Sequence, residues 1–202
     1  ALLLLATLGM GFVMTSENLL CAFVALELVS LSLYALTALW RRNRPSAEAA
    51  LKYFIFGGVS SAFLLLGLSY IYGMTGSLEI RVIVGSCASM PVLPPLLLVG
   101  WLLMLVGLAF KIVAAPFHVW APDVYQNAPT PVAAWVATGS KIAATVLLVT
   151  LLKPAIEAPE GSPLRLPLGV ALSGLAVVAM IGGNLAALRQ TNLKRLLAYS
   201  AI

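Results

Sequence analysis

Three ionisable side chains lie within separate apolar stretches of this chain: Glu27, Lys111 and Lys141. Charge is costly in hydrocarbon, so such residues usually pair with one another and mark an ion or proton path. Burial favours the neutral form of each group, whereas a nearby opposite charge favours the ionised form. The three residues therefore have the chemistry of a proton relay. The alternative is a static ion pair, which also makes a buried charge tolerable.

His118 is the only histidine, and it follows Lys111 by seven residues. An imidazole suits a proton shuttle because it titrates near neutral pH, although a lone histidine more often has a structural role. One histidine excludes a haem with two histidine ligands. The two cysteines, Cys21 and Cys87, lie far apart without the spacing of a metal site. We expect no redox cofactor in this chain.

The composition is that of a membrane protein rather than a soluble domain. Of the 202 residues, 61% are apolar and 9% are charged, and the mean hydropathy is +1.03. A span needs about 20 apolar residues. The apolar runs predict spans at about 1–14 (truncated), 19–40, 49–72, 96–117, 132–152 and 168–188, with another starting from 192. The chain begins inside one run and ends just after another begins, so residues 1–202 read as a single transmembrane domain within a longer polypeptide.

The fourth run continues to residue 125, which is too long for one ordinary span. Pro116 and Pro122 lie within it, and each lacks an amide donor and disfavours helix in the residue before it. Backbone freed by a break at membrane depth must be buried in protein or line a wet cavity. We therefore expect Lys111 to precede an interrupted, hydrated region. The alternative is a helix that ends near Ala115 and an interfacial loop after it.

Polar and small residues share helical faces with the three charges. One stripe continues from Glu27 through Ser30, Tyr34 and Thr37, and another flanks Lys141 with Thr138 and Thr145. Both stripes should point into the bundle. The alternative is that the hydroxyls only satisfy carbonyls of their own helices. Gly100 and Gly107 share the face of Lys111 and should permit close helix packing.

The connectors predict an orientation. Connectors separated by four spans must lie on one side, and two such connectors are basic: Arg41, Arg42 and Arg44, then Arg189, Lys194 and Arg195. The positive-inside rule makes that side cytoplasmic. The opposite connectors hold Arg81, Lys153 and Arg165, offset by Glu79, Glu157 and Glu160. Lys52 lies near the cytoplasmic edge, where it can snorkel. The net charge of +5 is thus a topology signal and not a nucleic-acid patch.

Long motifs in this chain resemble a known family. They are GLAFKIVAAPFHVWAPDVYQNAPTP with VAAWVATGSKIAA (107–144), ALELVSLSLYAL (25–36), SAEAALKYFIFGGVSSAFLLLG (46–67) and GNLAALRQTNLKRLLAYSAI (183–202). The chain closely resembles the antiporter-like membrane subunits of proton-pumping NADH:quinone oxidoreductase, respiratory complex I, and most of all those of the N type. Ala121 stands where a threonine is common in that family, which is a minor departure.

The resemblance implies an all-α polytopic fold, an antiporter-like helix bundle with a discontinuous transmembrane helix. This chain would cover most of the first of two inverted five-helix repeats and the start of the second. The resemblance assigns proton translocation to Glu27, Lys111, Lys141, His118 and Lys52, and it places the exit half of the path beyond Ile202.

The same resemblance implies that NADH, FMN, iron-sulfur clusters and quinone are bound by partner subunits. The expected partners are the other membrane subunits of complex I and the lipid bilayer, with no nucleic acid. The expected location is the bacterial plasma membrane or, alternatively, an organellar membrane. The rival interpretations are a cation/proton antiporter or membrane-bound hydrogenase subunit of the same superfamily, and a structural subunit that does not transport.

Overall fold

The computed structural model describes residues 1–40, 42–156 and 163–202, and for 153–156 it describes the backbone alone. Arg41, Glu157, Glu160 and the side chain of Lys153 therefore lie outside the described residues. The described part folds into ten helices: α1 Leu2–Thr15, α2 Leu19–Thr37, α3 Arg44–Thr75, α4 Ile80–Ser89, α5 Pro95–Lys111, α6 Ala121–Asn127, α7 Thr130–Ala137, α8 Gly139–Ile156, α9 Arg165–Leu188 and α10 Leu193–Ser200.

Four stretches of helix are long and apolar enough to cross a membrane. They are α2, α3, the nearly continuous α7–α8 stretch from Thr130 to Leu152, and α9. The remaining long apolar helices, α1 and α5, are somewhat shorter. No strand occurs within the described ranges. The all-α polytopic fold that the resemblance implies is confirmed.

The connector between α3 and α5 contains α4, a helix that its proline and glycine content did not predict. Ile80, Ile83, Val84 and Cys87 are almost fully buried, and their spacing of three, four and seven residues from Ile80 is that of one helical face. This short periodic pattern was masked by the turn-forming residues on either side. α4 therefore packs its apolar face against the bundle instead of forming an open loop.

Capping residues explain the bounds of α3, the longest helix. The side chain of Asn43 accepts a hydrogen bond from the amide of Ser46, and Pro45 occupies the first turn, where a missing amide donor does no harm. The helix ends at Gly76, whose φ of 69° is left-handed and suits glycine. These signals extend the helix on both sides of the apolar run at 49–72.

α3 and α5 pack with their backbones close together. A Cβ added at Gly67 would lie 2.7 Å from the carbonyl oxygen of Gly100. A Cβ at Gly107 would lie 3.0 Å from the carbonyl oxygen of Ser60 and closer still to the side chain of Leu64. Small residues permit this approach. The close packing predicted for Gly100 and Gly107 is confirmed, and it holds the lysine end of α5 against α3.

The predicted helix break is confirmed, and it comes immediately after Lys111. α5 ends at Lys111, and turns follow until α6 begins at Ala121, with Pro122 in the first turn of α6. Val113 has a φ of 65° and is fully buried. A positive φ is strained for a β-branched residue, and such strain often accompanies functional sites. The helix thus ends earlier than Ala115, the alternative end considered above.

Contacts at the two ends of the bundle agree with the predicted topology. At one end, Asp123 joins Lys52 near the start of α3 to Arg195 near the start of α10. At the other, the amide of Leu19 donates to the carbonyl of Leu78 at 2.8 Å. The basic connectors before α3 and α10 therefore lie at the same end, as the span count requires.

Candidate functional site

The centre of the site is an ion pair between α2 and α5. Lys111 Nζ lies 3.5 Å from Glu27 Oε1. The lysine side chain is 9% exposed and the glutamate 26%, so the lysine is the more deeply buried partner. Two residues 84 positions apart in the chain are thus brought together at the end of the interrupted helix. The structure supports the expectation that a buried lysine faces Glu27.

Two serine hydroxyls contact the pair more closely than its members contact each other. Lys111 Nζ donates to Ser30 Oγ at 2.6 Å, and Ser61 Oγ donates to Glu27 Oε1 at 2.5 Å. Ser30 also donates to the carbonyl of Leu26 at 2.7 Å. Ser30 was part of the predicted stripe, but no sequence pattern indicated Ser61, because the helical period of α2 does not reveal a partner on another helix.

The stripe that follows Glu27 points into the bundle, as predicted. Ser30, Tyr34 and Thr37 are 4%, 8% and 0% exposed. Ser30 and Thr37 also bond to the carbonyls four residues earlier, which is the structural role considered as the alternative. Ser30 has both roles, whereas the Thr37 hydroxyl donates to a carbonyl of its own helix and the Thr37 carbonyl accepts from Ser46 Oγ at 2.7 Å.

Aromatic rings enclose the inner side of the site. Tyr53 stacks on Trp120 with ring centroids 4.2 Å apart, and Phe110 packs against Trp120 at 5.2 Å. Tyr34 meets Tyr53 edge to face at 4.6 Å, a favoured geometry for aromatic pairs. The hydroxyl of Tyr34 fills the space where a side chain on Gly57 would stand. These rings keep the ion pair in surroundings of low polarity.

A small cavity lies between Lys111 and the start of α8. It has a volume of about 10 Å³, and its lining includes Ser30, Tyr53, Lys111, Trp120 and Ser140. This is close to the room that one buried water needs in a polar site. Because Ser140 directly precedes the third predicted relay residue, the cavity lies between the ion pair and the start of α8.

Lys141 contacts the residue that follows α10 rather than the Glu27–Lys111 pair. Its Nζ donates to the carbonyl oxygen of Ala201 at 2.7 Å and lies 5.8 Å from the ring centre of Tyr125, within cation–π range. The predicted inward stripe around Lys141 is wrong for its two threonines. Thr138, which lies between α7 and α8, and Thr145 on α8 are both exposed in the described part of the chain.

His118 lies in the turns that follow the break. Its ring centre is 6.2 Å from that of Tyr199 on α10. The Nδ1 atom is buried, and among the described residues it has no hydrogen-bond partner. Buried polar atoms are nearly always paired, so an unpaired imidazole nitrogen is a notable feature beside the helix break.

Lys52 belongs to a separate charged cluster, which also contains Glu48, Asp123, Gln126 and Arg195. Lys52 Nζ lies 2.8 Å from Glu48 and 2.9 Å from Asp123. Arg195 donates to Asp123 at 2.8 Å and to Gln126 at 3.1 Å. The cluster joins α3, α6 and α10. The side chains of its four charged residues are each at least a quarter exposed. Lys52 is therefore not part of the buried ion pair.

Asp123, which the motif APDVY contains, is the junction of this cluster and lies outside the four long apolar helices. Burial alone would raise the pKa of the Asp123 carboxyl, but hydrogen bonds from Lys52 and Arg195 and the charges of both hold it below its ordinary value. The carboxylate therefore stays ionised between its two cations. Sequence reasoning missed this role because the partners lie 71 and 72 residues away.

Within the described ranges, no three histidine, cysteine, aspartate or glutamate side chains are placed to hold a metal ion. The two cysteines also remain apart as free thiols, with Cys87 buried on α4 and Cys21 exposed on α2.

A family model described as NADH:quinone oxidoreductase/Mrp antiporter, transmembrane, matches residues 16–202. NADH-quinone oxidoreductase subunit N 2 from Acidobacterium capsulatum is 48% identical over 209 residues, covering all of this chain and 41% of the relative. Subunit N from Halorhodospira halophila is also 48% identical and is covered over 40% of its length. The chain thus spans about two fifths of the length of these curated relatives.

Two solved structures have a similar fold. A chain of respiratory complex I from Thermus thermophilus with bound aureothin is 44% identical, with a TM-score of 0.82 over 99% of this chain and 41% of its own length. A chain of the membrane-bound sulfane sulfur reductase, an archaeal respiratory membrane complex, is 32% identical, with a TM-score of 0.88 over 100% of this chain and 40% of its own.

Proposed function

Since the chain belongs to the NADH:quinone oxidoreductase/Mrp antiporter family of membrane proteins, we propose that it forms part of a subunit that moves protons across a membrane. The subunit acts within an NADH:quinone oxidoreductase of the bacterial plasma membrane, together with the other membrane subunits of that complex. The observation that carries the proposal is the Glu27–Lys111 ion pair at the end of an interrupted helix.

The pair works as a switch on the protonation of Lys111. With Glu27 close, the charged lysine is stabilised, and when the carboxylate moves away, burial favours release of the proton. The lysine is the deeper partner, at 9% exposure, so its charge depends strongly on Glu27. A change in the distance between these two side chains is therefore a way to move a proton.

Lys141 is the next residue of the relay to accept the proton. The cavity lined by Lys111 and Ser140 has about the room of one water and separates Lys111 from the start of α8. Two protonated lysines repel each other, so a proton arriving at one favours release from the other. The carbonyl of Ala201, which accepts from Lys141, holds the ammonium toward α10 and away from the pair.

His118 and Lys52 lie on the uptake side of this relay. His118 follows the break and lies near Tyr199 of α10, and its imidazole can give or take a proton at either ring nitrogen. Lys52 belongs to the cluster around Asp123, where the basic connectors place the cytoplasmic face. Its contribution is to hold that face together through α3, α6 and α10.

The driving energy enters from neighbouring subunits. Moving one charge against 100 mV takes about 2.3 kcal/mol, and a proton relay of Glu and Lys side chains supplies no such energy by itself. Electron transfer from NADH to quinone, with NADH, FMN, iron-sulfur clusters and quinone held by partner subunits, provides it. The force acts on this chain by changing the Glu27–Lys111 distance.

The test is substitution in the intact complex. Lys111→Ala and Glu27→Ala should each abolish most NADH-driven proton pumping in membrane vesicles while the complex still assembles. Arg81→Ala is the matched control, because Arg81 pairs with Glu17 on an exposed surface at the other end of the bundle. Unchanged pumping by either substituted complex would overturn the proposal. Loss of assembly alone would favour a structural subunit.

A second candidate is a subunit of a different ion-translocating respiratory complex in the same superfamily. The reductase chain superimposes with a TM-score of 0.88, against 0.82 for the complex I chain, so the fold serves both. Sequence identity favours complex I, at 44% against 32%. Sodium-dependent transport that does not respond to NADH would favour an antiporter or the other complexes.

A further inference from the structure

The two members of the ion pair each have a hydroxyl partner of their own. Ser61 on α3 donates to Glu27 at 2.5 Å, and Ser30 on α2 accepts from Lys111 at 2.6 Å. The charged atoms themselves are 3.5 Å apart, which is longer than a strong charge-assisted hydrogen bond. The closest polar contacts of the pair are therefore with the serines.

Ser61 has two acceptors for one hydrogen. Its Oγ lies 2.5 Å from Glu27 Oε1 and 2.9 Å from the carbonyl oxygen of Gly57. A serine hydroxyl can donate only one hydrogen bond but can accept two. The Ser61 hydroxyl can therefore donate either to the Glu27 carboxylate or to the Gly57 carbonyl of its own helix, but not to both.

These two directions of the Ser61 hydrogen correspond to the two charge states of Glu27. When the carboxylate is ionised, the Ser61 hydrogen points to Glu27. When Glu27 carries a proton, its own O–H donates to Ser61 Oγ, and the Ser61 hydrogen turns to the Gly57 carbonyl. One hydroxyl thus keeps Glu27 hydrogen-bonded in both states, with no movement of the backbone.

Ser30 does the same for Lys111. Its hydrogen is directed to the Leu26 carbonyl at 2.7 Å, which leaves the lone pairs of its oxygen free to accept from Lys111. Lys111 therefore keeps one hydrogen bond, to Ser30, when the carboxylate moves away, and it can donate this bond as an ammonium or as a neutral amine. The open pair thus leaves Lys111 with a polar partner both before and after it releases its proton.

We propose that Ser61 and Ser30 are positioning residues that let the Glu27–Lys111 pair open and close, each holding one member of the pair in both arrangements. The consequence for pumping rests on the proton-translocating function proposed above, whereas the hydrogen bonds themselves can be measured without it.

Neighbouring serines provide matched controls. Ser32 lies on the same helix as Ser30, is equally buried at 4% exposure, and bonds to the carbonyl of Leu28 at 2.8 Å. Ser60 precedes Ser61 but donates to the carbonyl of Gly107 at 3.0 Å. Neither hydroxyl contacts the ion pair in the described structure, so Ser32→Ala reports the effect of removing a buried hydroxyl alone.

The first measurement is the rate of NADH-driven proton pumping in vesicles that contain the whole complex. Losing a hydrogen bond to a charged group changes an equilibrium by about tenfold or more. We therefore expect Ser61→Ala and Ser30→Ala each to reduce the pumping rate about tenfold. Ser61→Thr, which keeps the hydroxyl, should restore most of it, and Ser32→Ala should pump normally. Equal losses in Ser30→Ala and Ser32→Ala would overturn the assignment of Ser30.

The second measurement is the infrared C=O stretch of protonated Glu27, identified as the band that Glu27→Gln removes. Ser61→Ala should shift this band, and Ser61→Thr should leave it near its original frequency. An unshifted band in Ser61→Ala would overturn the assignment of Ser61. If Ser61→Ala prevents assembly, Ser61→Cys, with a weaker donor of similar size, should shift the band in the same direction.

The two measurements separate failure of the inference from failure of the proposed function. If Glu27→Gln pumps normally, the proposed function is wrong, and the infrared shift still decides the role of Ser61. If Glu27→Gln stops pumping while Ser61→Ala and Ser30→Ala do not slow it, the function stands and the serines are not positioning residues.

Discussion

Replacing the two members of the buried ion pair should destabilise the protein unequally. Glu27→Gln leaves Lys111, at 9% exposure, without its carboxylate partner, whereas Lys111→Met leaves Glu27 at 26% exposure with the Ser61 hydroxyl still bonded to it. Both substitutions nearly conserve side-chain volume. The difference in stability therefore reports which charge depends more on its partner.

The expected sizes follow from burial. Removing one partner of a buried pair costs about 3–5 kcal/mol, and Glu27→Gln should fall near 3 kcal/mol because Ser30 still accepts from Lys111. Lys111→Met leaves a partly exposed, hydrogen-bonded carboxylate, for which about 1–2 kcal/mol is expected. The double substitution removes both charges, so it should be more stable than Glu27→Gln alone.

The assay is denaturation of the full-length subunit in bicelles by titration with sodium dodecyl sulfate, followed by circular dichroism. Glu27→Gln should be the least stable of the three variants. Lys111→Met and the double substitution should both be more stable than Glu27→Gln. A Lys111→Met protein at least as unstable as Glu27→Gln would refute the reasoning from burial. A double substitution that simply sums the two effects would show that the charges do not interact.

Three further outcomes follow from the fold. Gly67→Ala, whose Cβ would lie 2.7 Å from a backbone oxygen, should lower stability by about 1–3 kcal/mol. Gly58→Ala, with open space around it, should not lower it. Equal effects of the two substitutions would contradict the close packing of α3 on α5. The folded-state pKa of Asp123 lies below the ordinary 3.8, so its stabilising contribution is present above that pH and is lost as the pH falls through the lowered value. Asp123→Asn should therefore flatten the acid limb of a curve of stability against pH. An unchanged acid limb would refute this. A lipid-soluble maleimide should modify exposed Cys21 well before buried Cys87, as mass spectrometry would show; faster labelling of Cys87 would contradict its burial on α4.

Much of the site could be predicted from single-helix patterns. The isolated charges and the prolines after Lys111 indicated the residues and the break, because polar groups and missing amide donors are costly in a membrane. The stripe from Glu27 was predicted by helical spacing and is buried. The stripe around Lys141 was predicted by the same rule and is wrong for Thr138 and Thr145, since spacing identifies a shared face but not what that face meets.

The sequence by itself determined that this is a polytopic helical membrane protein, where its charges sit along the helices, and where one helix must break. These follow from local chemistry, since hydropathy, helical period and proline act within a few residues. Only the tertiary structure decided that Ser61 binds Glu27, that Lys141 reaches Ala201, and that Asp123 joins Lys52 to Arg195. Each of these contacts joins residues 34 to 72 positions apart, and helix packing, which no local pattern encodes, sets their distances.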